Sequence, residues 1–196
     1  MGGGPHKEHV LVALPFPKEP PALEPLRKKF PDIEFTFRNV SYLKTQDNLE
    51  EKVPASIWKD VTILVTLSSF PKVSDAPHLD FIQLFSAGSN QIQKNPLYTD
   101  TDVKISTSSG IHGPQIAEWV IMTALVASHK YKTLYELQKQ HAWGKTGMED
   151  DYHNVEDMVG RRLGVLGYGS IGRQVARVGT AMGKEQHETS CTYSEN

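Results

Sequence analysis

Three glycines in the carboxyl-terminal part of the sequence have the spacing of a phosphate-binding turn. Gly167, Gly169 and Gly172 form a G-x-G-x-x-G pattern directly after the apolar run at 163–166. In this pattern the first glycine allows a tight turn, the second lets the backbone approach a pyrophosphate, and the third lets a helix pack closely on a strand. The sequence therefore predicts a strand, a turn and a helix that could together bind a dinucleotide.

The residues around these glycines support this prediction. Apolar residues recur at helical spacing from Ile171 to Met182, and Gly183 is placed to end the helix. Backbone amides near Ser170 and Ile171, with the positive end of the helix dipole behind them, would hold the phosphates. The alternative is a glycine-rich turn that only packs one α/β unit. The predicted cofactor-binding residues of the turn are Gly167, Tyr168, Gly169, Ser170, Ile171 and Gly172.

The polar tail after Gly183 departs from this pattern. A dinucleotide-binding unit needs a second apolar strand that ends in an acid, about 20 residues past the glycines, to hold the adenosine ribose. Residues 184–196 are polar throughout, and Ser190 and Cys191 occupy the approximate place of that acid. We therefore expect no second strand in the tail. We also expect its three glutamates to be solvated charges, and cofactor binding to be weak.

Apolar runs in the first 110 residues indicate the elements that would support such a site. The predicted strands are "HVLVALP", "DIEFTF", "DVTILVTL", "DFIQLFSAG" and the weaker "DVKISTSSG". Leu23, Leu26 and Phe30 lie at helical spacing between the first two strands. Helical segments between successive strands are typical of crossover connections in a parallel sheet. We therefore predict a compact α/β domain.

A different pattern follows "SSGIHG". Pro114 suits the first turn of a helix, and apolar residues at helical spacing extend that helix to about His129. A second helix is predicted in "YKTLYELQKQHAW", and the polar segment after it is interpreted as a linker or an exposed arm. We place a domain boundary at 148–157.

The composition narrows the class of protein. The chain has 196 residues, a formal net charge of -2, 38% hydrophobic and 22% charged residues, which argues for a folded protein and against a nucleic-acid partner. No apolar run approaches the roughly 18 residues of a membrane span, so we expect no membrane partner and a cytoplasmic location. The single cysteine, Cys191, excludes an intrachain disulfide, and no histidine has metal-ligand spacing, so no metal site is predicted.

Three segments together resemble the NAD-dependent D-isomer-specific 2-hydroxyacid dehydrogenases. They are "QLFSAGSN" (83–90), "GIHGPQIAEWVIMTAL" (110–125) and "GRRLGVLGYGSIGRQVARVGTAMG" (160–183). Their order and spacing are those of the family. The resemblance covers about residues 9–183, and residues 184–196 are expected to match nothing in it.

The resemblance implies a fold, a cofactor and a partner. The implied order is a flavodoxin-like parallel-sheet substrate domain at 1–112, interdomain helices and an arm at 113–157, the first strand and helix of a Rossmann domain at 158–183, and an atypical tail at 184–196. The implied cofactor is NAD, with NADP also compatible. The implied partner is a small 2-hydroxy or 2-oxo acid.

The resemblance also implies a substrate-binding loop. Ala87 and Gly88 match the loop whose backbone amides hold the substrate carboxylate, and Ser86 and Ser89 flank it. These four are the predicted substrate-binding residues. A compatible alternative is an ordinary strand-to-helix turn with Asn90 as the helix cap.

Ile116 and His112, at the start of the first long helix, each have a functional and a structural interpretation. Ile116 matches a cofactor-binding position that approaches the nicotinamide in relatives, although its helical phase equally suits a core residue. His112 does not match the family's catalytic histidine, and its place before Pro114 favours a turn or cap role over an acid/base role. The catalytic histidine, glutamate and arginine of the family lie beyond the fingerprint, in sequence that this chain lacks, so no catalytic residue is predicted.

Three functional interpretations follow. The resemblance implies an NAD-dependent oxidoreductase that moves a hydride between the nicotinamide and a small 2-hydroxy or 2-oxo acid. As a truncated chain without the acid/base, it is expected to be inactive. The alternative is a non-catalytic module that binds a full-length relative, as a dimer, through the exposed faces of the helices at 114–142 and of the strand-helix unit that contains the three glycines. A third interpretation is an unstable product whose tail comes from a shifted or unspliced reading frame.

Overall fold

The computed structural model describes residues 7–40, 53–143 and 155–183, and the backbone of 185–189. The chain divides into two compact units, Met1–Ser109 and Gly110–Asn196. Part of the predicted arm, 144–154, lies outside the described residues, as do Ser190, Cys191 and Glu195.

The first unit is built on a five-stranded parallel sheet with the order β2-β1-β3-β4-β5. This is the strand order of flavodoxin-like folds. The prediction of an α/β fold with a parallel sheet is therefore confirmed. The elements are β1 (His9–Leu14), α1 (Leu23–Lys29), β2 (Glu34–Asn39), α2 (Ala55–Trp58), β3 (Ile63–Thr66), a 3-10 turn (Val73–Asp75), β4 (Phe81–Leu84), α3 (Pro96–Thr99) and β5 (Lys104–Ser106).

Strand β1 is buried on both faces because helices cover a parallel sheet on both sides. Leu11 and Ala13 belong to the larger apolar cluster, which includes Leu64 and Ile82 of the neighbouring strands. Val10, Val12 and Leu14 belong to a second cluster on the opposite face, with Leu23 of α1. This continuous burial explains why "HVLVAL" is apolar without alternation. Parallel pairing of β1 with β3 and of β3 with β4 places the carboxyl ends of these strands at one edge of the sheet.

The second unit begins with two helices, α4 (Gly113–Ser128) and α5 (Tyr131–Lys139). Lys130, with a φ of +50°, separates them. Strand β6 (Arg162–Leu166) and helix α6 (Ser170–Ala181) follow, and α4 packs against α6. Within the described ranges, no helix is long and apolar enough to cross a bilayer.

A second strand follows α6, and the prediction that the tail contains none was wrong. Strand β7 (Glu185–Thr189) pairs in parallel with β6, from Arg162 opposite Glu185 to Leu166 opposite Thr189. Backbone groups make these bonds, so the pairing does not require the apolar side chains on which the prediction relied. Gly183, with a φ of +76°, lies just before β7, and its carbonyl oxygen accepts a hydrogen bond from the Gly160 amide at 2.9 Å.

Candidate functional site

The G-x-G-x-x-G segment at 167–172, called the fingerprint turn below, connects β6 to α6. Its three glycines differ in backbone conformation and surroundings. Gly167 has a φ of +91°, in the region that favours glycine, and Gly169 is the N-cap of α6, with a φ of -78°. Gly172 is buried in the first turn of the helix. A Cβ atom there would collide with the carbonyl oxygen of Gly167 and lie 3.1 Å from Val165 Cγ1. The close approach of helix and strand therefore depends on glycine at 167 and 172.

Open space lies beside the amino end of α6. A Cβ atom built on Gly169 would meet no heavy atom within 4 Å. Helix α6 is 12 residues long, and the first N–H groups of a helix have no partner within it. These amides and the helix dipole favour an anion at this position. The residues present therefore fit the pyrophosphate of a dinucleotide.

The other residues predicted for the turn lie at the same place. The carbonyl oxygen of Tyr168 accepts a hydrogen bond from Arg173 Nη1 at 3.3 Å, which ties the loop to the second turn of α6. Ser170 begins the helix and is exposed, and Ile171 is also exposed. The structure thus brings together all six residues predicted from 167 to 172.

The amino end of α4 packs against the start of α6. A Cβ atom on Gly113 would lie 3.3 Å from the carbonyl oxygen of Ser170. Ile116 is 37% exposed, whereas Ala117, the next residue along α4, is fully buried. The Ile116 side chain is therefore not part of the buried face of α4, and the core interpretation of this residue was wrong. His112 is the N-cap of α4 and makes no side-chain cap hydrogen bond.

The loop at 86–89 belongs to the first unit and follows β4 at the carboxyl edge of the sheet. Among the described residues, the backbone amides of 87–89 donate no intramolecular hydrogen bond. They are therefore available to an anion. Asn90 caps no helix, because a hydrogen-bonded turn follows it, and the helix cap is Asn95, whose Oδ1 accepts from the Leu97 amide at 3.0 Å.

Sequence reasoning missed two contacts beside this loop. The side chain of Gln91 donates hydrogen bonds to Ser86 and to the carbonyl oxygen of Leu67. The rings of Phe16 and Phe85 meet edge to face, with centroids 5.7 Å apart, at the ends of β1 and β4. The Gln91–Leu67 hydrogen bond and the Phe16–Phe85 contact join segments far apart in sequence, and the sequence carries no signal for such pairs.

Comparison with known proteins finds similarity to one family of dehydrogenases. Residues 121–194 match the family model described as "D-isomer specific 2-hydroxyacid dehydrogenase, NAD binding domain". A D-3-phosphoglycerate dehydrogenase of Dictyostelium discoideum is 27% identical over 161 residues, covering 80% of this chain and 37% of that protein. A hydroxypyruvate reductase of Thermotoga maritima is 23% identical over 143 residues, covering 71% of this chain and 45% of that protein. The chain therefore spans less than half the length of these two relatives.

Solved structures share the fold. A D-isomer specific 2-hydroxyacid dehydrogenase family protein from Aeromonas salmonicida aligns with a TM-score of 0.70 at 22% identity, covering 94% of this chain and 54% of that one. A D-lactate dehydrogenase from Aquifex aeolicus, complexed with NAD and lactic acid, aligns with a TM-score of 0.62 at 17% identity, covering 94% and 52%.

A parallel βαβ unit with a glycine fingerprint at the start of its helix defines a nucleotide-binding α/β protein. The family match is more specific: residues 121–194 resemble the NAD-binding domain of the D-isomer-specific 2-hydroxyacid dehydrogenases, which supports assignment to that family and NAD as the cofactor. The match extends to residue 194, so the expectation that residues 184–196 match nothing in the family was wrong.

Proposed function

We propose that the chain carries two ligand-binding elements of a dehydrogenase, a coenzyme-binding turn at 167–172 and a substrate-binding loop at 86–89. Residues 1–112 form the substrate domain, 113–157 the interdomain helices and arm, and 158–183 the first strand and helix of the NAD-binding domain, with the tail after them. The observation that carries the proposal is the open space at Gly169 in front of the free amides of α6. The coenzyme pyrophosphate would lie there, and Ile116 would border the nicotinamide.

The proposed substrate is a small 2-hydroxy or 2-oxo acid. The amides at 87–89 would hold its carboxylate, with Ser86 beside them. Relatives and neighbours act on or bind acids of this class, as the names phosphoglycerate dehydrogenase, hydroxypyruvate reductase and D-lactate dehydrogenase state. Hydride transfer between the nicotinamide and the carbon that carries the hydroxyl group is the proposed reaction, and the cytoplasm is its proposed location.

The 196-residue chain is proposed to bind ligands without turning them over. None of its histidines matches the family's acid/base, and a missing general acid/base costs about 10²–10⁴ in rate. We also propose weak coenzyme affinity, with a Kd on the order of 0.1–1 mM. Ser190, which follows β7 directly, is not the acid that would hold the ribose hydroxyls.

Glyoxylate reduction tests the inactivity. The purified chain is incubated with NADH and glyoxylate, and absorbance at the nicotinamide band is followed against a blank without protein. We expect no NADH oxidation above the blank. Turnover that exceeds the blank and scales with protein concentration would show that the chain supplies its own acid/base.

A second candidate function is an interaction module that dimerises with a full-length relative. Trp119, Met122 and Val126 recur at i, i+3 and i+7 along α4 and are 64%, 45% and 40% exposed. Tyr131 and Tyr135 of α5 stack at 5.9 Å and are also exposed. Exposed apolar patches of this kind mark interaction surfaces. Size-exclusion chromatography with a full-length homologue tests this candidate, and a Trp119→Ala, Met122→Ala chain is the control that should lose co-elution.

A further inference from the structure

We propose that Gln91 is a positioning residue for the loop at 86–89, acting through the hydroxyl group of Ser86. The inference rests on the proposed function, in which this loop holds the substrate carboxylate. It concerns a side chain that is not itself in the loop and that has no counterpart among the residues predicted from the sequence.

Gln91 ties two loops at the carboxyl edge of the sheet. Its Nε2 lies 3.0 Å from the carbonyl oxygen of Leu67, after β3, and 2.6 Å from Ser86 Oγ, after β4. A carbonyl oxygen can only accept a hydrogen bond, so the atom of Gln91 that faces Leu67 must be the amide nitrogen. The same NH₂ group has two hydrogens and can donate to both partners at once.

The direction of the next hydrogen bond follows. Because the Ser86 hydroxyl oxygen accepts from Gln91, its own proton is available to donate to the carbonyl oxygen of Gly88, 2.7 Å away. Two hydrogen bonds thus form one relay that runs from Gln91 through Ser86 to Gly88, and the bond to Leu67 anchors its first member. A hydroxyl that both accepts and donates is held in a single orientation.

The relay fixes the direction of a backbone amide. The described chain has no cis peptide bond, and in a planar trans peptide the C=O and N–H groups point to opposite sides. Holding the Gly88 carbonyl oxygen against Ser86 therefore directs the Ser89 N–H group away from that hydroxyl. The Ser89 carbonyl oxygen accepts a hydrogen bond from the Ile92 amide at 3.1 Å, which holds the peptide group on the carboxyl side of Ser89. The Ser89 amide is thereby set in place before an anion arrives.

The backbone of the loop has an anchor that does not depend on Gln91. The Ser108 amide donates to the Ser86 carbonyl oxygen at 2.9 Å, and the Ser108 hydroxyl donates to the Leu84 carbonyl oxygen at 2.9 Å. Removal of the Gln91 side chain should therefore leave the fold intact while freeing the peptide between Gly88 and Ser89. A positioning role and a structural role can be separated for this reason.

The test measures pyruvate binding to the full chain in saturating NADH, by ¹H–¹⁵N NMR titration. Gln91→Ala and Ser86→Ala should each weaken pyruvate binding about tenfold, and the double variant no more than either alone, because all three break the same relay. The Ser89 amide resonance should shift in Gln91→Ala without ligand, and the thermal midpoint and NADH affinity should stay unchanged. The matched control is Gln138→Ala, an exposed glutamine of α5 in the second unit, which should bind pyruvate as the wild-type chain does.

The outcomes separate the relay from the function on which it rests. If the wild-type chain binds pyruvate and Gln91→Ala binds it with equal affinity, the relay is overturned. The proposed carboxylate-binding role of the loop is then unaffected. Absence of pyruvate binding by the wild-type chain would overturn the carboxylate loop and, with it, the role of the relay. Additive losses in the double variant would also contradict the relay, because independent contacts add.

Discussion

Gly172 lies so close to Gly167 that a Cβ atom at Gly172 would collide with the Gly167 carbonyl oxygen. The two residues are the first and last glycines of the fingerprint, and their contact brings the end of β6 against the first turn of α6. A Cβ atom on Gly169, which lies between them in sequence, would meet no heavy atom within 4 Å. The three glycines therefore have separable roles: two permit the fold of the turn, and one leaves space for a ligand.

Gly172→Ala should destabilise the second unit. The added methyl group would displace the turn or the helix, and overpacking of this kind costs about 1–3 kcal/mol. Native-state hydrogen exchange of the α6 amides measures this cost locally. Gly164→Ala in β6 is the matched control, because a Cβ atom there would meet nothing within 4 Å. Equal exchange in both variants would contradict the assigned contact.

Thr62→Val should destabilise the first unit. The Thr62 hydroxyl oxygen accepts a hydrogen bond from the buried His9 amide at 3.0 Å, and valine would leave that N–H group without its partner. A buried unsatisfied donor costs about 1–3 kcal/mol.

Urea unfolding of Thr62→Val measures the change in the free energy of unfolding. Thr99→Val is the control, since the Thr99 hydroxyl group is exposed and lies 3.5 Å from its acceptor. A loss in the control as large as in Thr62→Val would show that the buried hydrogen bond is not responsible.

Glu19 should titrate below the usual range of a glutamate. The hydrogen bond from the Arg27 guanidinium, at 2.5 Å, lowers the pKa of the Glu19 carboxyl group, and the charge of Arg27 acts in the same direction. Because the folded pKa lies below the unfolded one, the stabilisation is present at neutral pH and is lost as the pH falls through the folded pKa.

Carboxyl ¹³C NMR titration of the folded chain checks the pKa of Glu19. Arg27→Met should raise this pKa towards its ordinary value. Lys28→Met should leave it unchanged, because Lys28 pairs with Glu24 at 3.3 Å. A Glu19 pKa that does not respond to Arg27→Met would rule out the assigned cause.

Local patterns predicted those parts of the fold in which local sequence decides the structure. Buried runs such as the one that begins at His9 gave the parallel strands, and the spacing of Gly167, Gly169 and Gly172 gave the turn. Strand β7 was missed because backbone pairing with β6, rather than apolar side chains, defines it. The Gln91–Leu67 hydrogen bond was missed because a bond between two loops depends on three-dimensional proximity that no periodicity encodes.

The central claim is that the fingerprint turn binds the coenzyme through the space at Gly169, and calorimetric titration with NADH tests it most directly. We expect saturable binding by the wild-type chain and by Gly164→Ala. Gly169→Ala should lose at least about tenfold in affinity while keeping its fold, because a methyl group would occupy the place of the pyrophosphate. No saturable binding by the wild-type chain, or equal affinity in Gly169→Ala, would contradict the claim.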